Sequence, residues 1–230
     1  MSCKLVYLAR RAKTVSREDW PRIWKSHAIF ASQFPALEAE IDWMRYCNRI
    51  DEPMLDGQPA VLPGISTVHD GVSVASSESL ETLQGGALSK EERALIDKDE
   101  VRVFDMLTPN FTWYCNETVV MDGPPLEFAV FRFLKRKDGV GRQDFDRQFI
   151  AAHEGISPPA GLNRLALNHP MGDPLPLFPF EGIAEWWFAT QDDAVRALSG
   201  DMPGGDLAGF CDADATETVL TYISHRWPKT

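Results

Sequence analysis

The 230-residue sequence lacks any apolar run approaching the roughly 20 residues that a membrane-spanning helix needs. Basic residues are also scarce: 23 Lys and Arg stand against 34 Asp and Glu, leaving a net charge of −11. A nucleic-acid groove or an anionic membrane surface calls for a basic stripe, so neither partner is expected. Cysteine is limited to Cys3, Cys47, Cys115 and Cys211, scattered without a CxxC pair. They read as reduced thiols of a cytoplasmic protein, with Cys47 and Cys115 buried on strands. The opening MSCKLVYLARRAK carries only a short apolar stretch followed by basic residues, which is not the pattern of a signal peptide. The five histidines form no HxH, HxxxH or HExxH, so no metal is expected. There is no GxGxxG, GxxxxGK[ST] or GxSxG either, which removes the dinucleotide, P-loop and α/β-hydrolase readings and leaves no cofactor indicated. What is present is 44% hydrophobic residues and 10% aromatics, including seven tryptophans, enough for a sizeable core.

The chain repeats itself. VYLARRAKTVSREDWPRIW (6–24) lies over FRFLKRKDGVGRQDFDRQF (131–149), 125 positions on. Both blocks place a basic pair after an apolar strand-like run, then a valine, an arginine, an aspartate and two aromatics four residues apart; His27 and His153 close them. HDGVSVASSESLETLQGG (69–86) likewise lies over FEGIAEWWFATQDDAVRALSGD (180–201). The connector MDGPP puts the boundary near Asp122, giving two domains, 1–121 and 122–230. Each half reads strand, helix, strand, strand, helix, strand, the ferredoxin-like βαββαβ unit. Trp20, Ile23, Trp24, His27 and Ala31 share one helix face. Pro21 moves that helix's start toward Asp19, Thr190 caps the helix that Gly200 ends, and Ser89 with Glu92 starts an additional short helix. One sheet face per half is covered by helices; the other must be buried as well, and the repeat offers two sheets packed face to face within one chain.

FLKRKDGVGRQDFDRQFIAAHEG and EGIAEWWFATQDDAVRALSGD resemble an EthD-domain protein of the dimeric α+β barrel superfamily, and Leu167-Asn168-His169 resembles that family's second strand. The resemblance covers nearly the whole chain, twice, with the second copy nearer the pattern. It implies an α+β fold in which two ferredoxin-like repeats make an intramolecular version of the barrel. Members include decarboxylases, dehydratases, cyclases, cofactor-independent oxygenases, haem enzymes and accessory proteins of catabolic operons, so it implies the fold more firmly than the reaction.

Strand alternation assigns the candidate site. Placing Phe131 and Phe133 on the helix side turns Arg132 inward, with its equivalent Tyr7; Ile183, Glu185 and Trp187 also face inward. Arg132 and Glu185 form either a plain ion pair or an anion-holding arginine oriented by a glutamate. His27 and His153, on the apolar helix faces, are core residues bonded to a backbone carbonyl or a general acid and base. On this reading Tyr7, Arg132 and Glu185 rank above the two histidines as catalytic groups. Trp43, Trp113 and Trp187, with His69 and Asp70 in a loop before a strand, are the candidates for binding substrate; Trp186 and Trp227 also sit on or near strands. The leading expectation is a lyase-like enzyme, using neither metal nor nicotinamide, that dehydrates, decarboxylates or cyclises an aromatic or polycyclic substrate. The alternatives are a cofactor-independent oxygenase and a ligand-binding accessory protein of a degradative oxidase system. A haem reading would need an axial histidine on a cavity strand. The expected partner is an apolar or aromatic small molecule, and any homodimer would form through the outer surfaces.

Overall fold

The computed structural model describes residues 3–38, 41–86, 88–155, 157–200 and 207–228. They fall into two compact units, one drawn from 1–49, 68–116 and 223–230, the other from 50–67 and 117–222. A simple cut after residue 121 is therefore replaced by interleaved segments. The reason is local bonding. The Ile50 and Ser66 amides donate to the carbonyls of Leu220 and Thr218 at 2.9 and 2.8 Å. Gln191 donates to the carbonyl of Met54 at 3.1 Å. These bonds hold the 50–67 connector in the second unit. At the other end of the chain, Ser224 donates to the carbonyl of Tyr46 at 3.0 Å, within the first unit.

The first unit runs β1 (Cys3–Ala9), α1 (Trp20–Ala31), α2 (Pro35–Glu38) and β2 (Trp43–Arg49). The hairpin β3 (Met54–Leu55) and β4 (Gln58–Pro59) follows, in the connector. The first unit resumes with β5 (Gly71–Ser77), α3 (Leu80–Leu83), α4 (Lys90–Val103) and β6 (Thr112–Met121). β6 leaves the unit after Asn116. Its antiparallel sheet has the order β6-β1-β5-β2. The second unit runs β7 (Phe128–Leu134), α5 (Arg142–Glu154), β8 (Leu162–Pro170), β9 (Gly182–Phe188), α6 (Gln191–Ser199) and β10 (Glu217–Trp227). β10 leaves it after Tyr222. Its antiparallel sheet has the order β10-β7-β9-β8. Each unit thus carries βαββαβ, with α2 and α4 added in the first. Among the described residues no helix is long and apolar enough to cross a membrane.

Local chemistry explains the boundaries. α1 begins at Trp20 with Pro21 in its first turn, where a missing N–H costs nothing. Ser79 and Thr190 accept from the Thr82 and Asp193 amides at the starts of α3 and α6. Ser89 and Glu92 form a reciprocal capping box, and the helix they start is not short: α4 has 14 residues.

The repeated motifs build the same two devices in both units. Trp20 stacks on Trp24 at 5.2 Å, and Phe145 on Phe149 at 5.8 Å. The first residue of the third core strand is glycine in each, Gly71 and Gly182, because these rings press on the backbone. A methyl group at Gly71 would lie 2.5 Å from a ring carbon of Trp24 and 2.7 Å from the carbonyl oxygen of Cys47. Gly71→Ala is expected to destabilise the protein by about 3 kcal/mol, read from the urea midpoint at unchanged slope. The second device is an arginine pair on a buried carboxylate. Arg11 donates to Asp70 through Nη1 and its amide at 2.5 and 2.9 Å, and Arg17 caps the Arg49 carbonyl at 2.7 Å. In the second unit Arg136 donates to Glu181 at 3.0 Å and Arg142 caps the Pro170 carbonyl at 3.0 Å.

Candidate functional site

Pairing register fixes which face each strand residue occupies. In the second unit Phe128, Val130 and Leu134 pack with Ala184, Trp186 and Phe188 against Phe145, Phe149, Ala194 and Val195 of the helices. Arg132 lies between Val130 and Leu134 on that same parity, opposite Ala184. It therefore points to the helix side, which corrects the inward assignment. Phe131 pairs with Glu185 and packs edge-on to Trp187 at 5.6 Å, so these three share the other face. Both faces are apolar and buried, so hydrophobicity did not distinguish them. Arg132 and Glu185 therefore lie on opposite faces of the sheet, so the expected ion pair is not formed. Glu185 is fully buried and receives Asn168 Nδ2 at 3.4 Å, with Arg164 Nε at 3.9 Å.

A cavity lies within the first unit, between its sheet and helices α1, α2, α3 and α4. Leu5, Tyr7, Met44, Tyr46, Ala75, Thr112 and Tyr114 form the sheet wall. His27, Ala31, Leu37, Ile41, Leu83, Leu88, Ile96 and Trp227 add apolar and aromatic surface, and Arg93 and Glu100 supply charge. Only Tyr7 and His27 of the expected catalytic set line it, and the expectation of a cavity against the opposite sheet face is replaced by one on the helix side. Trp43 lies on the other face, where Lys4 stands 5.4 Å from its ring centroid. Trp113, opposite Val6, shares that face. Trp187, in the second unit, likewise faces away from its helices. Asp70 is the acceptor of the Arg11 and Arg17 pair, and the His69 carbonyl receives Arg49 at 2.7 Å, so this loop is part of a structural lock.

His27 projects from α1 into the cavity wall, and its Nδ1 lies 2.8 Å from Asp99 Oδ2 on α4. Asp99 also accepts from Arg102 at 2.9 Å. The His27 hydrogen bond, reinforced by Arg102, holds the Asp99 carboxyl below its usual range, so it is an anion that fixes a proton on Nδ1. Nε2 is left as the nitrogen available to a ligand. Tyr7 is buried and its hydroxyl accepts from Trp24 Nε1 at 3.1 Å. Burial, followed by the neighbouring Tyr46, raises the Tyr7 pKa well above 10, and burial raises Tyr46 too; both phenols stay protonated and able to donate. Glu100 is held by Arg93 Nη2 at 3.0 Å, the Thr108 amide at 2.9 Å and the Thr108 hydroxyl at 2.7 Å. Sequence reasoning missed Tyr46, Arg93, Asp99 and Glu100. Three of them sit on α4, and its capping box was the only signal that pointed there.

The two motif histidines part company. His153 Nδ1 donates to the Phe149 carbonyl at 2.7 Å, the backbone-bonded arrangement, whereas His27 takes a carboxylate. Among the described residues, the one histidine lining the first-unit cavity, His27, is on a helix rather than on the strand that the haem reading requires.

No family model matches the chain, and no curated protein matches it. Solved structures do. A presumptive monooxygenase from Fusobacterium nucleatum subsp. nucleatum is 7% identical with a TM-score of 0.61, over 98% of this chain and 93% of its own. An anthrone oxidase-like protein is 8% identical with a TM-score of 0.63, over 98% and 92%. A presumptive chlorite dismutase is 12% identical with a TM-score of 0.53, over 96% and 94%. These are members of the dimeric α+β barrel superfamily, and at such low identity the likeness shows the fold alone. The chain thus shares the α+β fold of these structures, and no branch such as EthD is singled out.

Proposed function

We propose that the protein is a small-molecule enzyme that takes an acidic proton from an apolar, aromatic carbonyl or phenol substrate in the first-unit cavity. The observation that carries this reading is the His27–Asp99 pair set in an otherwise largely apolar wall. A carrier needs only apolar walls; an anion-oriented imidazole is the equipment of a general base. Tyr7 and Tyr46, protonated donors on the strand wall, suit the oxygen on which charge develops as the proton leaves. The two-repeat, EthD-like organisation belongs to the same proposal.

Proton removal opens both lyase and oxygenase chemistry. The names of the structural neighbours, monooxygenase and anthrone oxidase-like, favour the oxygenase. In that case His27 takes a proton from a CH₂ beside the aromatic carbonyl system and the carbanion reduces dioxygen. The CH₂ becomes C=O, one O₂ is consumed and one H₂O leaves. Anthrone is the first substrate to test. The expected result is oxygen uptake matched one to one by quinone formation. Oxygen-independent turnover of an aromatic hydroxy acid would support the lyase reading instead, and tight binding without turnover of either would support an accessory protein.

A further inference from the structure

Among the described residues the second unit has no counterpart of α4, the helix that brings Asp99 to His27 in the first. His153 on α5 instead donates its Nδ1 proton to the Phe149 carbonyl of its own helix at 2.7 Å. That bond fixes the tautomer, so Nε2, on the other side of the ring, carries a lone pair and can only accept. The side chain is 1% exposed, and Nε2 is enclosed and meets no donor. Burial lowers the ring to about 4 against the pull of the Phe149 bond, which keeps the lone pair free of a proton at neutral pH. An enclosed acceptor without a donor is destabilising, and most such groups in folded proteins have a partner.

His153 lines a hollow of about 400 Å³, counting its open mouth. Val120 and Met121 of β6, Pro158, and Leu162 and Leu165 of β8 form the other walls, all within the second unit. Glu154 stands exposed at the rim. The hollow is therefore apolar around a single acceptor. Water suits it poorly: a buried water ordinarily makes about three hydrogen bonds, and these side chains offer it one. A metal ion suits it no better, since no group of three or more ligating side chains occurs among the described residues. What matches the walls is an apolar body carrying one donor.

We propose that this hollow is a second binding site, for a phenol or similarly apolar aromatic alcohol, whose hydroxyl donates to His153 Nε2 while its ring lies among Val120, Met121, Leu162 and Leu165. The two units then differ in what they do with a proton. In the first, an imidazole backed by Asp99 is equipped to remove one. In the second, an imidazole backed by a neutral carbonyl is too weak a base to ionise a phenol, so it holds the hydroxyl intact.

The test uses the whole chain at pH 7 with phenol as the probe. Anisole, which keeps the ring and the oxygen but has no donor, is the control. NMR follows the unprotonated Nε2 nitrogen of His153, and the His27 ring reports the first-unit cavity separately. Phenol should move the His153 Nε2 resonance upfield and saturably, as an acceptor gaining a donor does. It should bind there about fivefold more tightly than anisole, the usual worth of one hydrogen bond. Leu162→Trp fills the hollow without touching the bond to Phe149, and should abolish the shift while the His153 resonances stay dispersed. If that variant does not fold, the comparison of phenol with anisole in the unmodified protein decides alone. A His153 Nε2 resonance unmoved up to the solubility limit of phenol, an equal effect of anisole, or a shift that survives in folded Leu162→Trp would overturn the proposal. None of these readouts depends on turnover in the first unit, so the two readings fail separately.

Discussion

Replacing His27 by glutamine is expected to lower turnover about 10²- to 10⁴-fold, the usual worth of a general base, with the folded state preserved. Glutamine can still donate to Asp99, so the α1–α4 contact survives, and the side chain still fills the space edge-on to Phe104, where the imidazole sits 5.3 Å away. What it loses is the basic nitrogen. Asp99→Asn separates orientation from chemistry. Asparagine can pair with Nδ1 as a donor as well as an acceptor, so it no longer fixes the proton there, and activity should fall by a smaller factor with little change in KM. Tyr7→Phe should act on the developing charge, again through kcat. The contrasting pair is Arg132→Leu and Glu185→Gln: both residues belong to the second unit and neither lines the first-unit cavity, so neither should reduce kcat comparably. Should His27→Gln retain full activity with a demonstrated substrate while Arg132→Leu loses it, the active site belongs in the second unit. Circular dichroism and the urea midpoint of each variant separate lost chemistry from lost fold.

The order of strands and helices was legible because its signals are geometric necessities. A glycine must stand where the α1 or α5 aromatics press on the third core strand, and an arginine pair must find a carboxylate. Those requirements recur at Gly71 and Gly182, and at Asp70 and Glu181, and they place βαββαβ twice. On β9 the assignment of Ala184, Trp186 and Phe188 to the helix side agrees with their packing, although that strand too is buried on both faces. On β7 the same logic failed. Phe131 and Phe133 are as buried as Val130 and Leu134, and alternation identifies a face only when one side is wet. The repeat itself held the correction, since Arg132 corresponds to Tyr7, a residue bonded to the helix tryptophan Trp24. Half of the candidate site came from α4, in a stretch of the first half longer than its counterpart. No alignment of one half on the other could have pointed to Asp99, Glu100 or Arg93.

Acidification is expected to cost the native state about 3 kcal/mol between pH 6.5 and 4, and His153 is the residue responsible. An imidazole in the unfolded chain titrates at its ordinary 6.5, while burial of the ring in the second unit lowers the folded value to about 4. Above the upper figure both states are neutral at this site and stability is independent of it. Between the two, the unfolded chain binds a proton that the native chain refuses, so stability falls as pH falls, and the loss is complete once the native ring is protonated. The carboxylates held below their usual range, Asp99 by His27 and Asp212 by Lys135, lose their contributions at still lower pH, below about 4, so the windows separate. His153→Phe keeps an aromatic ring against Trp186 and Phe149 and removes the titration. Its unfolding free energy, measured by urea denaturation at intervals from pH 7 to 4, should be nearly flat where the unmodified protein slopes. An equal slope in both proteins would show that other groups set the acid sensitivity.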